Sequence, residues 1–371
     1  MDGKIEYIKS VSERLLEGSI AKNENGIRLF RPDGTGRYPA VWTRDFTYMV
    51  EYACELMSAD DIYCNIDYII SHASNEGYIP DWVRPCGMTR YGFIRPEFPK
   101  TPLLDNGSFI IIAVDRYLDM LDDDSARRAF EKWHSALCAG IDWLPVNEKG
   151  IIEISEDNLH VGYGFTDTVK KSGQMAMETL LLWRAAKRLA RRLELYGYPN
   201  EKYDALVAGI EKNFLPTFTS DSGMIYSTTG LCAQIDVWAS CYMISIGFPV
   251  GDEQKAAISR WLAENYDGIV QDGQIRHLPK GEYWEATYLD IEKNTYQNGA
   301  FWAVATTWFY DAMKDAYPEL AISCVLDALE YFEKNGVYEC VCGDYKKLDT
   351  YVVSATSIYD ATKKIMKIKH G

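Results

Sequence analysis

The 371-residue sequence contains five histidines, no apolar run of about 18 residues, and no proline-, serine- or glycine-rich stretch. Each absence excludes something. Without a long apolar run there is no candidate transmembrane helix. Without a low-complexity stretch there is no linker, so the chain reads as one domain over residues 1–371. Positive charge is also scarce, with 39 Lys and Arg against 54 Asp and Glu, a formal net charge of -15. A phosphate backbone or an anionic membrane needs a basic stripe, which excludes nucleic acid and membrane surfaces as partners. The nine cysteines are odd in number and irregularly spaced, and Met1-Asp2-Gly3-Lys4-Ile5-Glu6 has no apolar signal region. Reduced thiols in a cytoplasmic protein are therefore expected. Metal-ligand spacing is missing too. His72, His134, His160, His277 and His370 are scattered, Cys340-Val341-Cys342 has no second cysteine pair, and Asp122-Asp123-Asp124 fits a solvated helix cap. No glycine-rich phosphate loop follows a strand, so neither metal nor cofactor is expected.

What the chain does contain is apolar residues, 47% hydrophobic and 13% aromatic, enough for a large core. They recur at helical spacing near 4–17, 43–57, 60–72, 105–121, 125–144, 168–196, 199–215, 233–247, 252–264, 297–315, 317–334 and 351–366. Ser125, Asp252 and Asp60-Asp61 fit helix starts, Pro318 fits a first turn, and Gly197 and Gly247 fit helix ends. Even-numbered helices are apolar nearly all round, as in Phe109-Ile110-Ile111-Ile112-Ala113, which puts them inside. Odd-numbered ones carry charged faces, as in Ser125-Ala126-Arg127-Arg128, which puts them outside. Outer-to-inner connections are long (roughly 18–42, 73–104, 145–167, 216–232, 265–296 and 335–350), and the returns are short. All six long loops must then open on one face. The pattern predicts an all-α (α/α)6 barrel, a double ring of six helical hairpins around a pocket.

Each long loop enters its inner helix through a distinctive cluster. These are Trp42-Thr43-Arg44-Asp45; Leu104-Asp105-Asn106-Gly107; Tyr163-Gly164-Phe165-Thr166-Asp167-Thr168; Gln234-Ile235-Asp236-Val237-Trp238; Tyr296-Gln297-Asn298-Gly299-Ala300-Phe301-Trp302; and Tyr338-Glu339 ahead of Tyr351. Trp and Tyr rings can stack on the CH faces of a sugar, and Asp, Asn, Gln and Arg can each fix paired hydroxyls. One such cluster alone is accounted for by a helix cap beside a core aromatic. Six on one face point to a small carbohydrate. Its expected contacts are Trp42, Arg44, Asp45, Trp82, Asp105, Asn106, Tyr163, Asp236, Trp238, Glu285, Gln297, Asn298 and Trp302.

At these clusters the chain resembles the six-hairpin glycosidases, the (α/α)6-barrel group of trehalases, processing α-glucosidases and glucoamylases. Trp42-Thr43-Arg44-Asp45 is similar to the inner-helix entry whose Asp and Arg grip sugar hydroxyls in that group. Gly164-Phe165-Thr166-Asp167-Thr168 is similar to the third-repeat motif whose Asp is the general acid, although Thr168 and Lys170 stand where Ser and Arg usually follow. Glu339, in Gly336-Val337-Tyr338-Glu339, resembles the C-terminal loop that supplies the general base. The resemblance implies a glycoside hydrolase with Asp167 as acid and Glu339 as base. Loops three and six would face each other across the ring, which suits the wide carboxyl separation of an inverting enzyme. Apolar Tyr163 and Phe165 would keep Asp167 protonated.

Rival readings come from other residues. Glu285, in Glu282-Tyr283-Trp284-Glu285, is an alternative base. Loop two holds Arg84, Arg90, Arg95 and Lys100 beside Trp82, which are either salt-bridged surface charges or a grip on an anionic sugar. The same ring of helices also suits a sugar epimerase, but that chemistry calls for histidines at the helix starts. A catalytically inactive sugar-binding protein would not need both Asp167 and Glu339.

Overall fold

The computed structural model describes residues 2–370, with side chains described as far as Lys367. Its helices of eight residues or more form six outer–inner pairs. In chain order these are α1 (Asp2–Gly18) with α2 (Thr43–Ala53), α3 (Ala59–Ser71) with α4 (Asn106–Leu118), and α5 (Asp123–Asp142) with α6 (Ala176–Tyr196). They continue as α7 (Glu201–Phe218) with α8 (Val237–Ser245), α9 (Asp252–Glu264) with α10 (Thr306–Met313), and α11 (Pro318–Asn335) with α12 (Val352–His370). Every inner helix packs against the next, and α12 closes the ring on α2. Burial follows composition. In α4 and α10 nearly every side chain is buried. In α5 only a stripe of Ala126, Ala129, Phe130, Trp133, Leu137, Gly140 and Ile141 is buried, and the charged remainder faces solvent.

The inner and outer rings touch closely at Gly107 of α4 and Gly140 of α5. A Cβ on Gly107 would lie 1.8 Å from the Gly140 carbonyl oxygen, so the backbones meet only because Gly107 has no side chain. Ser58 and Asp122 cap α3 and α5 by accepting from the Asp61 and Ser125 amides. These caps lie slightly ahead of the oxygens that the sequence singled out. No helix among the described residues is long and apolar enough to cross a membrane.

The six long loops share the face at the N-terminal ends of the inner helices and are tied into small antiparallel sheets. Val41–Trp42, Trp82–Val83 and Thr89–Arg90 form one, and Tyr338–Cys342 with Tyr345–Asp349 form a hairpin before α12. Single bridges (Asp33 to Tyr351, Val169 to Thr287, Phe301 to Val341) join loops that are distant in sequence. Two inner helices begin later than the periodicity suggests. α6 starts at Ala176 and α10 at Thr306, not near 168 and 297. The preceding residues are held extended, Gly173–Gln174 pairing with Glu153–Ile154 and Trp302 with Ile275. Asp167 and Gln297 are therefore loop residues, not members of a first helical turn.

Candidate active site

Where the loops converge, a cavity of about 330 Å³ including its open mouth is bordered by Trp42, Arg44, Asp45, Asp167, Tyr296 and Glu339. Asp167 follows a single 3-10 turn, Gly164–Thr166. Its Oδ1 accepts from Gln297 Nε2 at 2.8 Å, and its Oδ2 has no hydrogen-bond partner among the described residues. Gln297 also fixes the turn itself, with Oε1 accepting from the Thr168 amide at 2.9 Å and Nε2 donating to the Gly164 carbonyl at 3.2 Å. Burial pushes the Asp167 carboxyl above its ordinary range, against the opposing pull of Arg44 and the Gln297 hydrogen bond.

Glu339 enters from the hairpin before α12 and is 3% exposed. Tyr38 donates its hydroxyl to Oε1 at 2.9 Å. Lys347 Nζ lies 3.1 Å from Oε2 in an ion pair, and Oε2 has no hydrogen-bond partner among the described residues. Burial raises its proton affinity, Lys347 and Tyr38 lower it, and the nearby Asp167 raises it again. Tyr38 is placed by Asp33, whose carboxylate accepts from the amides of Thr35, Arg37 and Tyr38.

Arg44 and Asp45 open α2. Arg44 Nη2 pairs with Asp81 Oδ1 at 2.6 Å, and Asp81 Oδ2 accepts from Arg90 Nε at 2.7 Å. Arg44 Nε lies 3.5 Å from Asp105 Oδ2, which also takes the Gly164 amide at 2.7 Å. Gly164 is required here, because a Cβ would fall 1.7 Å from Arg44 Nε. Asp45 accepts from the Tyr351 hydroxyl at 2.5 Å, and burial pushes it up to about 7.

Of the sugar contacts expected from sequence, Trp42, Arg44 and Asp45 border this cavity, and Trp82 borders the next one. The others are placed differently. Asp105 is fully buried behind Arg44, and its carboxyl is raised to about 6 by burial. Asn106 is buried in α4, away from the cavity. Tyr163 shares a hydrogen bond with the Tyr48 hydroxyl at 2.9 Å inside the ring. Asp236 caps α8 by accepting from the amides of Trp238 and Ala239. Trp238 is a core residue, stacked on His277 at 3.7 Å with its indole donating to the Ile275 carbonyl. Asn298 holds the Trp284 amide and the Ile291 carbonyl, and Trp302 donates to the Tyr296 carbonyl. Gln297 acts on Asp167. Glu285 is exposed and borders neither cavity. These placements have one physical cause. An aromatic or carboxylate at a helix start can turn toward the packed interior as readily as toward the ring axis, and sequence spacing does not distinguish the two.

Tyr38, Asp81 and Lys347 escaped the sequence reading. The turn Asp33-Gly34-Thr35-Gly36 was a signal for Tyr38, since such an Asp captures amides two to five residues ahead.

A second cavity, of about 790 Å³ including its open mouth, adjoins the first and shares Tyr38, Trp42, Asp167 and Tyr296 with it. Trp42, Trp82 and Arg90 are register partners across the three-stranded sheet and present one face to it. The Arg90 guanidinium sits 4.9 Å from the Trp42 ring and 4.4 Å from that of Phe93. Arg95, on the rim, is exposed and has no ion-pair partner among the described residues.

No family model and no curated protein matches the sequence. Solved structures do match in fold. The GH63 mannosylglycerate hydrolase from Thermus thermophilus in complex with glucose aligns with a TM-score of 0.71 at 14% identity, covering 96% of this chain and 100% of that one. The glucoamylase from Saccharomycopsis fibuligera aligns at 0.67 and 12% identity over 98% of this chain and 95% of that one. The rhamnosidase from Klebsiella oxytoca with rhamnose bound aligns at 0.64 and 14% identity over 97% of this chain and 63% of that one. The chain has the (α/α)6-barrel fold of the six-hairpin glycosidases.

Proposed function

We propose that this (α/α)6 barrel is an inverting glycoside hydrolase in which Asp167 is the general acid and Glu339 the general base. The observation that carries the reading is that, of the three buried carboxyls bordering one cavity, Asp45 is committed to Tyr351 while Asp167 and Glu339 reach it from different loops with different partners. The loops that carry them lead to the third and sixth inner helices, opposite positions in the ring. The Asp167 Oδ2 proton goes to the glycosidic oxygen as the bond breaks. A water held by the Glu339 carboxylate loses its proton to it and attacks the anomeric carbon from the other face. In this reading Arg44 and Asp45, which border the cavity, bind hydroxyls of the ring being attacked, and Trp42 is its stacking wall.

The second cavity then receives the leaving group. Arg90 and Arg95 suit one that carries a carboxylate or a phosphate. The Thermus hydrolase is named for such a substrate and has also been solved with Tris and D-glycerate, a carboxylate. The test is a panel of aryl glycosides and of glycosides with neutral or anionic leaving groups, with the first-formed anomer followed by proton NMR. Cleavage with inversion, lost by roughly 10²- to 10⁴-fold in D167N on poor leaving groups and abolished in E339Q, supports the reading. Retention of configuration, or near-wild-type turnover in E339Q, rejects it.

A further inference from the structure

Lys347 lies outside every cluster that the sequence pointed to, yet it is the cation in direct contact with Glu339. We propose that Lys347 is a positioning residue for the base, a role that rests on the assignment of Glu339 above. Its ammonium holds one carboxylate oxygen directly and the other through the Tyr38 hydroxyl.

The three groups form a closed circuit. Lys347 Nζ is 3.1 Å from Glu339 Oε2 and donates to the Tyr38 oxygen at 3.3 Å, and Tyr38 donates to Glu339 Oε1 at 2.9 Å. An ammonium has no lone pair, so Tyr38 must accept from it, and the single phenolic proton is left to point at Glu339. Aromatic faces hold the ammonium in place, the Tyr296 ring centroid at 3.1 Å and that of Tyr38 at 6.0 Å. Tyr296 and Leu348 both take left-handed backbone, with φ of 41° and 44°. For residues with large side chains this conformation is unfavourable, and the surrounding contacts must offset it.

The neighbours of Glu339 account for the need. Asp45 of α2 and Asp167 of the third loop are carboxyls that disfavour a second negative charge, and Arg44 is already engaged by Asp81 and Asp105. Tyr351 at the start of α12 gives its proton to Asp45, and Tyr296 offers only its ring. Of these groups, Lys347 and Tyr38 are the ones that favour the carboxylate.

The experiment titrates Glu339 by carbon-13 NMR of carboxyl-labelled glutamate, with the signal assigned by its loss in E339Q, in the wild-type protein, K347M and K347R. K347Q serves as a second neutral variant should K347M fail to fold. The expected result is a Glu339 titration about one pH unit or more higher in the neutral variant, restored toward wild type in K347R. On an aryl glycoside that the enzyme cleaves, the acid limb of kcat/KM moves up by the same interval. An unchanged titration in a folded neutral variant overturns the proposal, as does a rate loss that is equal at every pH. Those outcomes leave the base assignment standing. Turnover retained by E339Q instead removes Glu339 as base, and this role with it.

Discussion

Gln297 donates to Asp167 Oδ1 at 2.8 Å while its own oxygen accepts from the Thr168 amide at 2.9 Å. A backbone N–H can only donate, so the orientation of this side-chain amide is fixed. Oδ1 is thereby committed as an acceptor, and a proton on Asp167 belongs on Oδ2. Gln297→Leu is expected to lower kcat/KM on poor leaving groups by roughly 10²-fold, a large part of what a general acid contributes. Loss on a dinitrophenyl glycoside, which needs little protonation, should be much smaller. Equal losses on the two substrates would mean that Gln297 shapes the cavity and not the acid.

Asp45 is expected to make stability fall as pH rises. Its folded-state value of about 7 lies above the 3.8 of an ordinary Asp. A carboxyl raised in this way favours the folded state fully below about pH 4, and that contribution is lost as pH climbs through 7. The swing is on the order of 4 kcal/mol from the difference of the two values. Thermal melts at pH 5 and pH 8 should therefore differ less for Asp45→Asn than for the wild-type protein. Parallel pH slopes would contradict the raised carboxyl.

The contact between Gly107 and Gly140 sets the spacing of the inner and outer rings. Gly107→Ala places a methyl group against backbone that cannot rotate away. Urea denaturation should show a loss of about 1–3 kcal/mol or more. Unchanged stability would mean that α4 and α5 separate freely.

Arg95 lies exposed on the rim of the second cavity, with no ion-pair partner among the described residues. Arg95→Ala is expected to raise KM about 10- to 100-fold for a glycoside whose leaving group bears a carboxylate, the range of a hydrogen bond to a charged group. A neutral glycoside should be unaffected. Equal effects on both would remove the anionic leaving group from the reading.

Much of the architecture was legible in the chain. The helical period of runs such as Phe109 to Ala113, apolar on all sides, marked the inner helices, and the contrast between long and short connections put every functional loop on one face. Asp167 and Glu339, picked out by a motif resemblance, border the same cavity. The expected sugar contacts were less legible. Asp236 and Trp238 have the composition of a pocket wall but serve as a helix cap and a core stack. Glu285 has the chemistry of a base but sits exposed.

The sequence by itself determined the alternation of helices, because periodicity and capping are written within a few residues of each other. It also determined which carboxyls and aromatics were available. Only the tertiary structure decided which of them meet. Tyr38 and Glu339 are 301 residues apart, Asp45 and Tyr351 are 306 apart, and Asp167 and Gln297 are 130 apart. No local pattern specifies such pairs. They form because the ring closes α12 on α2, and closure brings the first, third, fifth and sixth loops to one point.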